Sequence, residues 1–310
     1  MPDVRTPVRP LLKWAGGKRQ LLPELRPFYP RAFKRYFEPF LGSGAVFLDL
    51  HNAGLLDGCG VYLSDINADI IGCYRAVRDD VDGVIAALLA HDRAYRVAGA
   101  AHFYGVRDEV FNPMRREVHA LRDPAAAYTP ELAAMLIFLN RTGFNGLFRL
   151  NASGAFNVPH GRNANPRICD EENLRAWSRM LRRHAVQLDV YSFEVMLDRA
   201  GRGDFVYLDP PYAPVSGTAR FTSYTAGGFD AVAQAKLQRA VIQLTARGAS
   251  ILLSNSAAPQ IQALYARDRR ALKAGLQAST VAARRAINSN ASSRGPVREY
   301  LITNVVRRSV

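Results

Sequence analysis

Cysteine is scarce in this sequence, 3 of 310 residues. Cys59, Cys73 and Cys169 are irregularly spaced and form no Cys-x-x-Cys pair. That argues against a disulfide scaffold, a zinc ribbon or a thioredoxin-like site. Long apolar runs are missing as well. The longest, over 132–139, falls far short of the ~20 residues needed to span a bilayer. The opening Met1-Pro2-Asp3-Val4-Arg5 lacks the apolar stretch of a signal peptide, so the expected compartment is the cytoplasm. Lysine is rare too. Lys13, Lys18, Lys34, Lys236 and Lys273 are five of the 41 basic residues, which leaves 41 − 5 = 36 arginines. A GC-rich genome accounts for arginine over lysine. It does not account for a formal net charge of +14, from 41 basic and 27 acidic residues. Such an excess points to a polyanionic partner, most simply nucleic acid. What remains is ordinary globular material. With 48% hydrophobic and 22% charged residues, the chain has core enough for one large domain or two moderate ones.

The pattern of elements is α/β. A loop at 11–18 enters a helix over 20–25. Tyr36-Phe37 is a short strand that runs through Glu38-Pro39-Phe40-Leu41-Gly42-Ser43-Gly44 into a helix over 45–53. A second strand over 61–64 ends on Asp65, and a helix over 68–77 follows. Strand, glycine turn, helix, strand, acid and helix form the first unit of a doubly wound sheet. From about 80 to 140 the apolar positions recur at helical spacing, as at Val84 and Leu88 or Leu132, Met135, Leu136 and Leu139. Residues 147–158 read as a β-hairpin with Gly154 at its turn. The α/β alternation then resumes: helix 171–182, strands 186–190 and 205–208, helix 231–246, strand 250–253. The expected organisation is a split α/β domain, 1–67 with 166–310, interrupted by a helical and hairpin insertion over 68–165.

Asp209-Pro210-Pro211-Tyr212 is the sharpest chemical signal. It follows an apolar strand, so it emerges at the carboxyl end, where open α/β sheets bind ligands. The prolines remove two backbone donors and stiffen the turn. An acidic acceptor, the Pro210 carbonyl and a flat ring suit a planar ligand with an NH2 group. The competing reading is an ordinary proline turn. The turn Phe40-Leu41-Gly42-Ser43-Gly44 is not a dinucleotide fingerprint, because Phe47 stands at the third glycine position. Neither it nor Gly16-Gly17-Lys18 is a P-loop. It still allows close backbone approach, and Asp65 ends the next strand, where an acid meets ribose hydroxyls in nucleotide-binding folds. A helix N-cap is the alternative role for Asp65.

Taken in order, these segments resemble the Dam-type DNA adenine N6-methyltransferases. The resemblance is carried by Lys13-Trp14-Ala15-Gly16-Gly17-Lys18, Phe40-x-Gly42-x-Gly44, Asp65-Ile66-Asn67 and Asp209-Pro210-Pro211-Tyr212. Further matches are Asn140 through Arg149, Phe156-Asn157-Val158-Pro159-x-Gly161, and Arg284-Arg285-x-Ile287 through Asn290 to Arg294. They span almost the whole chain, and 80–130 matches least. The family implies a Rossmann-like methyltransferase sheet with S-adenosylmethionine as cofactor. Trp14, Lys18, Phe40, Gly42, Gly44, Asp65 and Asp209 would bind it, with Lys18 on the methionine carboxylate. Asp209, Pro210, Pro211 and Tyr212 would be catalytic, acting on an adenine flipped out of duplex DNA. The insertion and the C-terminal segment would read DNA through Arg141, Asn145, Arg149, Asn151, Asn157, Arg284, Arg285, Asn290 and Arg294. Against each stands a plainer role: asparagines near turns bond their own backbone, and arginines meet phosphate or solvent.

The expected protein is a monomeric cytoplasmic enzyme of double-stranded DNA, of bacterial, phage or archaeal type, with a restriction endonuclease as a possible functional partner and no metal. A loop over 213–229 would cover the target base. A cytosine-N4 enzyme is the nearest rival but more often has Ser in place of Asp209. An RNA or protein methyltransferase would have Asn there. A DNA-binding module without catalysis would not need Lys18, Asp65, Asp209 and Tyr212. A cytosine-C5 enzyme is disfavoured because no cysteine follows a proline. Between 267 and 310 there are 10 basic and 2 acidic residues, an excess of 10 − 2 = 8 within the total of +14. This places much of the charge in the C-terminal segment.

Overall fold

The computed structural model describes residues 6–14, 16–214, 229–284 and 296–308, with side chains at 283–284 and 296–297 left out. A 3-10 turn (Lys18–Gln20) and α1 (Leu22–Leu25) lead to β1 (Arg35–Glu38), α2 (Ala45–Asn52) and β2 (Gly60–Ser64). A helical stretch follows: α3 (Ala68–Asp79), α4 (Val81–Ala98), α5 (Ala100–Gly105), α6 (Asn112–His119) and α7 (Pro130–Thr142). Next come α8 (Glu171–Arg183), β3 (Gln187–Asp189), α9 (Phe193–Asp198), β4 (Phe205–Leu208) and α10 (Ala231–Ala246). The chain closes with β5 (Ser250–Ser256), α11 (Pro259–Ile261), α12 (Arg269–Lys273), β6 (Gln277–Arg284) and β7 (Pro296–Thr303). The architecture is α/β with a mixed sheet, as the alternation of elements predicts.

Two compact units are present. The first comprises Met1–Gly17, Gly42–Leu55 and Asn67–Val190, and the second Lys18–Leu41, Leu56–Ile66 and Tyr191–Val310. These boundaries differ from a single insertion over 68–165, because α2 and α8 group with the helical stretch. The reason is aromatic packing. Trp177 of α8 is fully buried, stacks on Tyr74 of α3 at 4.9 Å and meets Phe47 of α2 edge-on at 6.3 Å. Burying three large rings together outweighs the sequence adjacency of α2 and α8 to strands.

In the second unit the strands run in the order β2-β1-β4-β5-β7-β6. β2, β1, β4 and β5 are parallel, while β7 is antiparallel to both β5 and β6. Every residue of β4 is buried, as befits a central parallel strand. Phe37, Val206, Leu208, Ile251 and Leu253 share one core with Met196 of α9 and Leu237, Val241 and Leu244 of α10. From β1 the chain steps to β2 on one side, and β4 lies on the other. That reversal makes the carboxyl ends of β1 and β4 a topological switch point.

The first unit is built around α7, in which Leu132 through Asn140 are all buried. The longest apolar run of the sequence is thus the central helix of a helical cluster. No helix among the described residues is long and apolar enough to cross a membrane. The expected hairpin at 147–158 is reduced to one antiparallel bridge, Leu150 to Phe156. Its turn is held by a side chain: Asn151 Oδ1 accepts from Ser153 N, Ser153 Oγ and Ala155 N at 3.1, 2.7 and 2.9 Å. The segment after 267, expected as a basic tail, instead forms α12 and the two sheet strands β6 and β7. Its polar stretch 287–295 and most of the 213–229 loop lie outside the described residues.

Candidate functional site

The switch point of the second unit is where sequence reading placed the chemistry. β1 ends on Glu38, a buried carboxylate that accepts a 2.7 Å hydrogen bond from the Tyr36 hydroxyl. Pro39 and Phe40 follow, and Leu41 N donates to Ser64 O at 3.0 Å. That bond ties the ends of β1 and β2 together, with Asp65 next in the chain. Phe40 stacks on Phe193 at 5.6 Å and meets Phe229 edge-on at the same distance. The N-cap of α3 is Asn67, whose Oδ1 accepts from Asp69 N at 3.0 Å. The capping alternative for Asp65 is therefore excluded.

Asp209 leaves the carboxyl end of β4. Its Oδ1 lies 2.8 Å from the buried Lys18 Nζ and 3.0 Å from Ser254 Oγ. Burial pushes the Asp209 carboxyl above its ordinary value, and the Lys18 charge and the bonds from Lys18 and Ser254 only partly oppose this. Lys18 Nζ also sits 4.5 Å from the centre of the Tyr212 ring, a cation–π arrangement on one face. The Tyr212 hydroxyl donates to Glu299 Oε2 of β7 at 2.7 Å. Burial, then Asp209 and Glu299, hold that phenol well above its usual range, so it keeps its proton.

The loop after Asp209 is anchored by β5 and α10. Gln234 Nε2 donates to Pro211 O at 3.0 Å, and Asn255 Oδ1 accepts from Ala213 N at 3.2 Å. Ser256 Oγ donates to Ala213 O at 2.6 Å, and Asn255 Nδ2 donates to Gln234 Oε1 at 3.1 Å. Ser254, Asn255 and Ser256 are all buried. Sequence reading ended this strand at 253 and missed them. Their signal was a polar triplet directly after a buried apolar run, which looks like a turn.

In the first unit Gly42 and Gly44 adopt left-handed φ values of 46° and 64°. A Cβ on Gly42 would lie 2.8 Å from Trp14 Cδ1, so the turn has no room for a side chain. Trp14 stacks on Phe148 at 5.6 Å. The preceding residue is clamped by Asn140, whose Oδ1 accepts from Lys13 N at 2.7 Å and whose Nδ2 donates to Lys13 O at 2.9 Å. Sequence reading matched Asn140 to the family but gave it no role, because a clamp on residue 13 is a tertiary fact.

The expected DNA-reading residues divide. Arg141 donates to Pro10 O at 3.3 Å and Leu11 O at 2.7 Å. It is half-buried, and its Nη2 holds the N-terminal segment. Asn151 is exposed, and its Oδ1 is used by its own turn. Asn145 is exposed at a left-handed φ of 54°. Arg149 is exposed, its Nε donating to Asn157 Oδ1 at 2.8 Å. Arg284 ends β6 without a described side chain, and Arg285, Asn290 and Arg294 lie outside the described residues.

The chain is similar to known proteins over most of its length. The family described as D12 class N6 adenine-specific DNA methyltransferase matches residues 14–281. A type II methyltransferase of Lactococcus lactis subsp. cremoris is 35% identical over 96% of this chain and 95% of its own. A type II methyltransferase of Methanocaldococcus jannaschii is 38% identical over 80% of this chain and 84% of its own. A DNA adenine methylase of Escherichia coli is 33% identical over 94% of each.

Proposed function

The chain belongs to the D12 class N6 adenine-specific DNA methyltransferases, and from that premise we propose how its residues act: Asp209 receives the N6 amine of an adenine flipped out of duplex DNA, and that nitrogen would take the methyl S-adenosylmethionine supplies as the carbon–sulfur bond breaks, a neutral thioether leaves and the N6 proton is released to Asp209 or solvent. The observation that carries the reading is Asp209 itself. It stands at the switch point, paired through one oxygen, at the head of a rigid proline turn.

The adenine N6 lone pair is delocalised into the ring, so the amine is a weak nucleophile. Hydrogen bonds from its two N–H groups to the Asp209 carboxylate and the Pro210 carbonyl favour a pyramidal nitrogen. They also stabilise positive charge developing on N6. Positioning and electrostatics do this work without a covalent intermediate. The Tyr212 ring stacks on the base through the face that Lys18 does not cover, and Glu299 holds the ring by its hydroxyl. Lys18 is paired with Asp209 and balances that carboxylate, and by family likeness it would also meet the methionine carboxylate.

S-adenosylmethionine, when bound, supplies an electrophilic methyl on a sulfonium. The residues present suit it. In the second unit Phe40 offers an aromatic face and Asp65 an acid at a strand end; in the first unit Gly42 and Gly44 are left-handed, and Gly42 has no room for a side chain. Trp14 belongs to the same set by family likeness. DNA reading is assigned to residues within 68–165, with Asn145 and Arg149 the exposed candidates and Asn157 oriented by Arg149. The type II names of two relatives favour a restriction endonuclease as functional partner.

The test is Asp209→Ala. Methyl transfer should fall by about 1,000-fold or more while DNA affinity stays within a few-fold. Undiminished turnover would overturn the role given to Asp209.

A further inference from the structure

The starting point is a torsion. An aspartate carboxylate rotates broadly about its last bond, so a defined direction for each oxygen needs an outside constraint. Asp209 has one behind it in the sheet. The β4–β5 register pairs Leu208 with Leu253, which brings Ser254 beside Asp209. Ser254 is fully buried, and its Oγ lies between two partners, Asp209 Oδ1 at 3.0 Å and Tyr207 Oη at 3.1 Å.

The proton order follows from inventory. An ionised carboxylate only accepts, so Ser254 must donate its single proton to Asp209. Tyr207 must then donate to Ser254. Burial, foremost, and the Asp209 charge hold the Tyr207 phenol well above its usual range, so that proton is in place. The result is a one-way chain, Tyr207 O–H to Ser254 O–H to Asp209 Oδ1. Lys18 Nζ reaches the same oxygen at 2.8 Å. Among the described residues Oδ2 has no hydrogen-bond partner, and it is not among their buried unsatisfied atoms.

We propose that Ser254, backed by Tyr207, is a positioning residue that fixes the carboxylate plane of Asp209 and reserves Oδ2 for the substrate amine. The inference rests on the reading of Asp209 given above. It also divides the labour between the two oxygens. Oδ1 is held by the sheet and by Lys18, and Oδ2 does the chemistry. A carboxylate without the serine could turn both oxygens toward Lys18 and present the amine with a poorly aimed acceptor.

The groups facing Asp209 are Lys18 from the N-terminal segment, Tyr207 on β4, Ser254 on β5, and Tyr212 with Glu299 of β7 behind it. Deleting the serine hydroxyl removes a donor to the charged form, so the carboxyl rises further. The acidic limb of the rate profile must then move to higher pH.

The experiment is single-turnover methylation across pH for Ser254→Ala, Ser254→Thr, Tyr207→Phe and Asp209→Ala. Ser254→Ala should lose about 10- to 100-fold in rate, the range for a hydrogen bond to a charged group, with the acidic limb shifted upward and DNA affinity unchanged. Ser254→Thr, which keeps the hydroxyl, should recover most of the rate. Tyr207→Phe should shift both readouts the same way by less, and it decides the matter should Ser254→Ala fail to fold. Wild-type rate and pH profile in the foldable alanine and phenylalanine variants would overturn the inference. Equal loss in the alanine and threonine variants with an unmoved acidic limb would do the same, by showing a merely structural role. Full turnover by Asp209→Ala would overturn the reading of Asp209 and this inference together, whereas its loss beside an unchanged Ser254→Ala overturns the inference alone.

Discussion

Asp69→Asn should destabilise the first unit far more than a typical substitution. Asp69 is almost wholly buried on α3, with a side chain 1% exposed. It accepts from Arg115 Nε and Nη2 of α6 at 3.0 and 2.8 Å, and His119 Nε2 lies 3.0 Å from its Oδ1. Arg115 Nη1 also donates to Gly154 O at 2.6 Å, so the same guanidinium holds the turn next to Arg149. The asparagine keeps the shape but leaves the buried Arg115 charge without its counter-ion. Breaking a buried pair from one side costs about 3–5 kcal/mol. Replacing both members by apolar residues, as in Asp69→Leu with Arg115→Met, removes the orphaned charge and should cost much less. Urea unfolding followed by circular dichroism gives both values. A loss below about 1 kcal/mol in the single variant would refute the reasoning, as would a larger loss in the double variant. The pH dependence adds a check. Burial alone would raise the Asp69 carboxyl, but His119 and Arg115 outweigh it and hold it below its ordinary value. A depressed carboxylate contributes stability that is present above the unfolded pKa of about 3.9 and is lost as pH falls through the lower folded value. Asp69→Asn should remove that part of the acid-induced loss.

Two further outcomes follow from the site. Gly42→Ala must place a side chain at a φ of 46° with its Cβ 2.8 Å from Trp14 Cδ1. S-adenosylmethionine affinity, measured by calorimetry, should weaken by about tenfold or more, in line with 1–2 kcal/mol of left-handed strain; wild-type affinity would contradict the close-approach role. Tyr212→Phe loses the bond to Glu299 but keeps the ring, so it should retain far more activity than Tyr212→Ala. Equal loss in the two would rule out stacking as the role of the ring.

Sequence patterning located most of the elements of the fold. α10 matches the expected helix over 231–246 to the residue, and β4 the strand over 205–208, because both carry strong local periodicity. β6 and β7 were not anticipated. β6 reads Gln277-Ala-Ser-Thr-Val-Ala-Ala-Arg, small residues with little hydrophobic alternation, and its strand state depends on pairing with a distant segment. The hairpin at 147–158 went the other way. Its residues have strand character, but Asn151 closes the turn with its side chain and only one bridge forms.

The candidate site was legible in type and less so in partners. Asp209 and Tyr212 stand at a strand end as their motif implies. The roles of Ser254, Asn255, Glu299 and Asn140 were invisible because each acts through a contact with a residue far away in the sequence. Arg141 shows a structural role that sequence did not reveal: it lies in the last turn of α7, and its Nη2 donates to two backbone carbonyls of the N-terminal segment. The charge of +14 remains consistent with a duplex partner. Part of the C-terminal excess now lies on sheet strands and α12, and Arg270 pairs locally with Asp268 at 2.9 Å.

The central claim is methyl transfer to adenine N6. Unmethylated duplex DNA incubated with the pure enzyme and S-adenosylmethionine, then sequenced for modified bases, tests it directly. The account predicts N6-methyladenine at one recurrent short sequence and its loss with Asp209→Ala. Methylation on cytosine, or adenine methylation that survives Asp209→Ala, would contradict it.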